Sequence, residues 1–243
     1  MSLDKLALEL QKCQQCLLHK DAIGTVGWFG NPESPLVFVG EGPGGVEDEY
    51  GCPLIGPSGQ LLDKALWAAK MTRDRVLTTN VIKCRPKGNR TPDIAEAEFC
   101  GKLWLERELA IIKPKVIVAL GGVALHFLGS PDMRITRDRG QWFKTAQGFD
   151  CIATYHPAYL LRLYGKQQIA AKWDVFHDLE AARDSWHLIM NLCLRQNQIC
   201  LSYSKKECKF LRQGKSSAFL CYNIFNPDFR RKCYFCKQPL TLT

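Results

Sequence analysis

Four short apolar runs, each cut off by polar or glycine-rich residues, constrain this chain most. They are Leu36 to Gly40, Val76 to Ile82, Lys115 to Leu120 and Cys151 to Tyr155. Three are largely continuous in apolar residues, which marks strands buried on both faces, and Val76 to Ile82 (VLTTNVI) reads as a strand because it is β-branched. Between them lie helical stretches. Ser58 to Lys70 carries Leu61, Leu62, Leu66 and Ala69 on one face. Asp93 to Ile112 opens on the capping-like Thr91-Pro92-Asp93 and stops before Pro114. Gly122 to Leu128 is shorter, and Ile169 to Trp186 closes the series. Strands alternating with helices predict an α/β fold, a three-layer α/β/α sandwich around a parallel sheet. Such sheets bind ligands at the loops leaving the C-terminal strand ends.

Those loops hold the chemically unusual residues. The first strand runs into Glu41-Gly42-Pro43-Gly44-Gly45, a loop whose backbone amides can approach a ligand closely. It is neither a Walker loop nor a dinucleotide fingerprint, because no Gly-Lys-Ser/Thr follows and the glycine spacing differs. The second strand ends at Asn80, whose side chain offers both a donor and an acceptor to the edge of a base. The fourth runs into His156-Pro157, where an imidazole can donate to a developing oxyanion. Taken singly, the same features also read as a tight turn, a cap and a structural histidine. His126 and His177 fall in helical patterns and read as structural or exposed.

Six of the twelve cysteines lie in the first 186 residues and six in the last 57. With no secretory signal in the opening residues, a cytosolic protein is expected, in which disulfides are rare. Cys13-x2-Cys16 with Cys84 and Cys100 supplies four thiolates, which suit tetrahedral zinc or an iron–sulfur cluster equally. Cys52 and Cys151 read as non-ligands. The net charge of +9 is lopsided: residues 187–243 hold ten Lys and Arg against two acids, and the first 186 residues hold 23 against 22. Any affinity of the main domain for nucleic acid must therefore come from local placement. The division predicted is a folded domain over residues 1–186 and a basic, Cys-rich tail over 187–243, an extension with no regular period. No run of about 18 apolar residues is present, so no membrane span is expected.

Three blocks, GEGPGGVEDEYGCPLIGPSGQLLDKAL, TTNVIKCRPKGNRTP and TYHPAYLLR, jointly resemble the family 4 uracil-DNA glycosylases, the iron–sulfur type of bacteria and archaea. Each block is weak alone; their order and spacing across residues 1–186 are specific. The resemblance implies a four-stranded parallel sheet and a 4Fe–4S cluster on Cys13, Cys16, Cys84 and Cys100. It implies an enzyme of base-excision repair that hydrolyses the N-glycosidic bond of deoxyuridine in single- or double-stranded DNA; a monomer is expected, since nothing in the sequence suggests more. Glu41 and the Gly42 backbone would line the uracil pocket and position water, Asn80 would read the uracil edge, and His156 would donate to uracil O2. Ser58, between Gly56 and Gly59, and Arg162 would hold phosphate. Ala158, Tyr159 and Leu160 would enter the duplex where the base leaves, offsetting the cost of flipping.

The sequence departs from the family pattern at two positions. Leu54 stands where the family usually has a Phe that stacks on uracil, a contact worth about 1–3 kcal/mol; Tyr50 is the neighbour able to compensate. Without that ring, the alternative is a non-catalytic iron–sulfur protein that binds uracil or single-stranded DNA. Gly42 replaces the common Ala. The related class that traps uracil covalently carries a basic insertion with a His after the Lys-Cys-Arg-Pro block, and Pro86-Lys87-Gly88-Asn89-Arg90 lacks it, which implies turnover.

Overall fold

A computed structural model describes residues 2–195 of the chain, without the side chains of 186–195. Six strands form one sheet: β1 Phe29–Gly30, β2 Leu36–Gly40, β3 Leu77–Asn80, β4 Val116–Leu120, β5 Trp142–Lys144 and β6 Asp150–Thr154. Their spatial order is β1-β3-β2-β4-β6-β5. The four runs read from the sequence are the inner strands β3, β2, β4 and β6, mutually parallel. The expected four-stranded sheet is thus corrected to six, because β1 and β5 add as antiparallel edges. These edges are only two and three residues long and partly exposed, so they carry no continuous apolar run.

The inner strands bury both faces, and period-2 geometry sends alternate residues to opposite layers. Val37, Val39, Leu77, Ile117, Ala119 and Ala153 face one core with Leu6, Leu10, Leu105 and Leu109. Leu36, Phe38, Val116, Val118 and Ile152 face the other, against Leu62, Leu66, Val175 and Leu179. The first layer contains α1 Leu3–Gln11, α4 Ile94–Cys100, α5 Glu106–Ile112 and α6 Gly122–Leu128. The second contains α3 Pro57–Ala68, α8 Pro157–Leu161 and α9 Gly165–Arg195. The short helices α2 Gly45–Tyr50 and α7 Ile135–Asp138 lie outside these layers. The three-layer expectation holds.

Asp93 caps α4 as its sequence suggested: its carboxylate accepts from Glu96 N at 2.7 Å, and Glu96 accepts from Asp93 N at 3.0 Å. The helix expected to be continuous from Asp93 to Ile112 is instead broken between α4 and α5 by a π turn, Gly101–Leu105, directly after Cys100. Helix α9 passes through Trp186 to Arg195, so the division at 186 falls on no break in secondary structure. The tail beyond residue 195, with its six-cysteine set apart from Cys193, lies outside the described residues. Among the described residues, no helix is long and apolar enough to cross a membrane.

Candidate active site at the C-terminal edge of the sheet

The register places Gly40 opposite Asn80 and Leu120 opposite Thr154, so the inner strands end together. Glu41, Asn80 and His156 all leave this one edge. Pairing continues past the strand ends: Val81 N donates to Gly40 O at 2.9 Å and Ile82 N donates to Glu41 O at 3.1 Å. The Glu41 loop is thereby bound to the segment that follows Asn80.

Asn80 is 1% exposed, and neither its Oδ1 nor its Nδ2 has a hydrogen-bond partner. Leaving both poles of a buried amide unpaired costs several kcal/mol in total, at roughly 1–3 kcal/mol each. Unmatched groups of this kind in native folds call for a partner, whether water or a ligand. Gly40 leaves room for the amide, since a Cβ there would stand 2.4 Å from Asn80 Oδ1.

His156 caps α8, and its Nδ1 accepts the Ala158 amide at 3.1 Å. Burial, helped by the Arg162 charge, pulls its pKa down to about 4. The ring is therefore neutral at pH 7, and with Nδ1 accepting, its proton sits on Nε2. Burial raises the pKa of Glu41, while the Arg162 guanidinium opposes the rise. Arg162, exposed at the C-terminus of α8, thus acts on both groups.

Two buried acids that sequence reasoning passed over organise the glycine-rich loop. Glu47 accepts Gly44 N at 3.1 Å, Ile55 N at 3.1 Å and Gly56 N at 2.8 Å. Asp48 accepts Ile23 N at 3.0 Å and faces Arg85 Nη1 at 4.0 Å. The Glu47 contact to Gly44 N is half of a capping box, since Gly44 has no side chain to return it. The reach to residues 55 and 56 exists only in three dimensions.

Leu54 is buried at φ +55, in the left-handed region that a branched residue enters at a cost. Arg73, anchored on Asp63 at 2.7 Å, holds it there by donating to Leu54 O at 2.9 Å and Gly59 O at 3.2 Å. The Leu54 side chain joins the apolar cluster of Leu62 and Leu160. Gly42 has a structural partner, because a Cβ there would stand 2.5 Å from Ile82 Cγ1. Tyr50 is half-buried at the end of α2.

Ser58 lies in the first turn of α3, half-buried. Of the segment expected to enter DNA, Leu160 is 3% exposed and belongs to the core, and Ala158 is half-buried. Tyr159 and Leu161 are the exposed apolar side chains, 37% and 45%. The Tyr159 ring packs on Tyr155 with centroids 5.0 Å apart. Leu161 was missed because periodicity cannot say which face of so short a helix is covered.

Cys13 follows α1, Cys16 precedes a 3₁₀ turn, Cys84 follows β3 and Cys100 ends α4. Cys84 is pushed up to about 12 by burial, then by Cys100, Cys16 and Cys13. Cys100 is pushed up to about 12 by burial, with Cys16 and Cys13 adding and Lys83 opposing. The four thiols therefore share one electrostatic neighbourhood. Burial also raises Cys151, whose shift involves none of the four. Among the described residues, no three His, Cys, Asp or Glu side chains stand at the spacing that holds a single metal ion. A separate depression of about 520 Å³ lies at the opposite end of the strands, between Lys113, Lys115 and Gln147, and none of the expected residues line it.

Comparison with known proteins agrees with this geometry. The family model of the uracil DNA glycosylase superfamily matches residues 28–180. A type-4 uracil-DNA glycosylase of Thermotoga maritima is 43% identical over 154 residues, covering 63% of this chain and 80% of the relative. That of Archaeoglobus fulgidus is 40% identical over 167 residues, 66% and 83% of the two chains. That of Pyrobaculum aerophilum is 36% identical over 169 residues, 67% and 86%. A match through every strand of the sheet and through all three loops at its edge makes this chain a member of the uracil DNA glycosylase superfamily.

Proposed function

We propose that this protein is a uracil-DNA glycosylase that hydrolyses the N-glycosidic bond of deoxyuridine in DNA, releasing uracil and leaving an abasic site for base-excision repair. Its relatives carry that activity in their names. The observation that carries the reading is the buried, unpartnered amide of Asn80 at the strand edge shared with Glu41 and His156. Uracil offers an N3–H donor beside an O4 acceptor, which match Oδ1 and Nδ2. Cytosine presents an acceptor at N3 and a donor at the 4-position, so it would face the amide with the wrong polarity.

The chemistry then needs little covalent work. As the bond breaks, negative charge gathers on uracil O2. The neutral His156 donates Nε2–H to it, an oxyanion contact of the kind worth ~10²–10³ in rate. The sugar becomes oxocarbenium-like. Glu41, with the Gly42 backbone, orients water toward it, and the Arg162 charge opposes the rise that burial imposes on its carboxylate. Ser58 and Arg162 hold phosphates. Tyr159 stands in the gap that the flipped nucleotide leaves, which offsets an unstacking cost of a few kcal/mol.

Cys13, Cys16, Cys84 and Cys100 would hold a 4Fe–4S cluster, which would cross-link α1, the end of β3 and α4. The donor set fits. Cys84 and Cys100 are buried and each feels Cys13 and Cys16, and a 4Fe–4S cluster gives each thiolate its own iron, which needs wider sulfur spacing than one ion does. The protein works as a monomer on single- or double-stranded DNA.

The test is a single-stranded oligonucleotide with one uracil, incubated with anaerobically purified protein and read by alkaline cleavage. Cleavage at uracil alone is expected. No cleavage by protein with full absorbance at about 400 nm, the mark of iron–thiolate ligation, overturns the enzyme in favour of a non-catalytic binder.

A further inference from the structure

Lys83 is a buried charge that the mechanism above does not use. Its side chain is 1% exposed and that of Glu108 is 0% exposed, and Nζ donates to Glu108 Oε2 at 2.8 Å. Nζ also donates to Thr79 Oγ1 at 2.7 Å and to the Asn80 carbonyl at 2.9 Å. The three protons of the ammonium are thus all used, on Glu108, Thr79 and Asn80. The Thr79 hydroxyl in turn donates to Glu108 Oε2 at 2.8 Å, closing a ring of contacts under the strand end. The Lys83 backbone amide points the other way and donates to Cys100 Sγ at 3.3 Å. One residue therefore touches both the thiol cluster and the backbone of the base-reading residue.

Asn80 has no hydrogen bond on its own side chain to fix it. Beyond its strand pairing with β2, its main chain is held by Lys83. Stability alone does not call for an ion pair here, since an apolar pair of similar volume in a core serves the fold as well or better. What the pair supplies is a charge-assisted hydrogen bond of fixed direction to the Asn80 carbonyl. We propose that the Lys83–Glu108 pair is the positioning device for Asn80, setting the amide at the angle at which it reads uracil and tying that angle to the Cys100 segment. The proposal rests on the glycosylase reading above and adds two positioning residues to it.

The test uses the full-length holoprotein and the double variant Lys83→Met/Glu108→Met, which removes both charges and strands neither. Four quantities are read: single-turnover uracil release at saturating DNA, affinity for uracil-free DNA, absorbance at about 400 nm, and melting temperature. Absorbance and DNA affinity are expected to stay near wild type, while melting falls because the buried Thr79 hydroxyl and Asn80 carbonyl lose these partners. The cleavage step is expected to fall about tenfold or more, the usual consequence of losing a hydrogen bond to a charged group. In an Asn80→Ala background the same double change should cost less than about twofold, because the two act as one unit. An equal loss in both backgrounds, or an unchanged rate, overturns the proposal. If the double variant is recovered without its absorbance, Glu108→Gln, which keeps shape and an acceptor for Nζ, is judged by the same comparison. Inactive wild-type protein defeats the glycosylase reading itself, whereas active wild type beside an equally active double variant defeats only the positioning pair.

Discussion

Replacing Glu47 by Ala tests how the glycine-rich loop is built. The carboxylate receives three backbone amides, and the side chain is 8% exposed. The bond to Gly56 N is buried, and an unsatisfied buried donor costs roughly 1–3 kcal/mol. The bonds to Gly44 N and Ile55 N are partly buried, so water recovers part of each and the net loss is roughly 0.5–1.5 kcal/mol apiece. Together they come to about 4 kcal/mol, a large share of a typical stability of about 5–15 kcal/mol. For a domain of this size that lowers the melting temperature by roughly 8–16 °C. Glu47→Gln keeps Oε1 for Ile55 and Gly56 but turns an amide donor on Gly44 N, which predicts about half the loss. Because the Gly44 contact steadies the loop carrying Glu41, single-turnover cleavage should fall in the same order, Gln before Ala. Thermal melting followed by the oligonucleotide assay checks both. A Glu47→Ala protein melting within about 2 °C of wild type refutes the clamp and the summation behind it.

The remaining predictions concern the reacting groups. His156→Ala should slow bond cleavage by about 10²–10³ while barely changing DNA affinity, and equal losses in both would remove the oxyanion role. The single-turnover rate should have an acid limb above pH 4.5. The folded-state pKa of Glu41 is raised, and the carboxylate that orients water is lost as pH falls through it. Arg162→Gln should move that limb further up, Glu41→Gln should abolish it, and in Glu41→Gln no limb should remain near 6.5 because His156 is already neutral there. Leu54→Phe should raise kcat/KM roughly 5- to 150-fold if residue 54 meets the base, from stacking worth about 1–3 kcal/mol. It should also lower the melting temperature, since the ring crowds Leu62 and Leu160, and an unchanged kcat/KM would separate residue 54 from the pocket. Gly42→Ala should destabilise by about 1–3 kcal/mol because its Cβ meets Ile82, and in an Ile82→Ala background, which lacks the clashing carbons, the same change should cost much less in a melting experiment.

Much of the fold was legible in the sequence because strands covered on both faces favour apolar and β-branched residues. Apolar runs marked β2, β4 and β6 and β-branched residues marked β3, and with them the edge where Glu41, Asn80 and His156 emerge. The edge strands β1 and β5 escaped notice because an edge carries no such requirement. The break in the long helix at Gly101 was invisible because a π turn leaves the composition of a helix unchanged.

At the site, residue type alone made Asn80 and His156 candidates, since few side chains can read a base edge or donate from a neutral ring. Tertiary structure decided what state they are in. Asn80 is unpartnered because Gly40 makes room for it and nothing else reaches it. His156 carries its proton on Nε2 because the Ala158 amide takes Nδ1. Leu160 turned inward and left Tyr159 and Leu161 to the solvent. Glu47, Arg73 and Lys83 were ordinary charged residues in one dimension, for their partners lie 8 to 25 positions away or more locally on an unexpected atom. The sequence alone determined which chemistry was available, because side-chain type and strand period are local properties. Only the folded chain decided which donors remain free to act, because hydrogen-bond pairing and burial depend on residues distant in sequence.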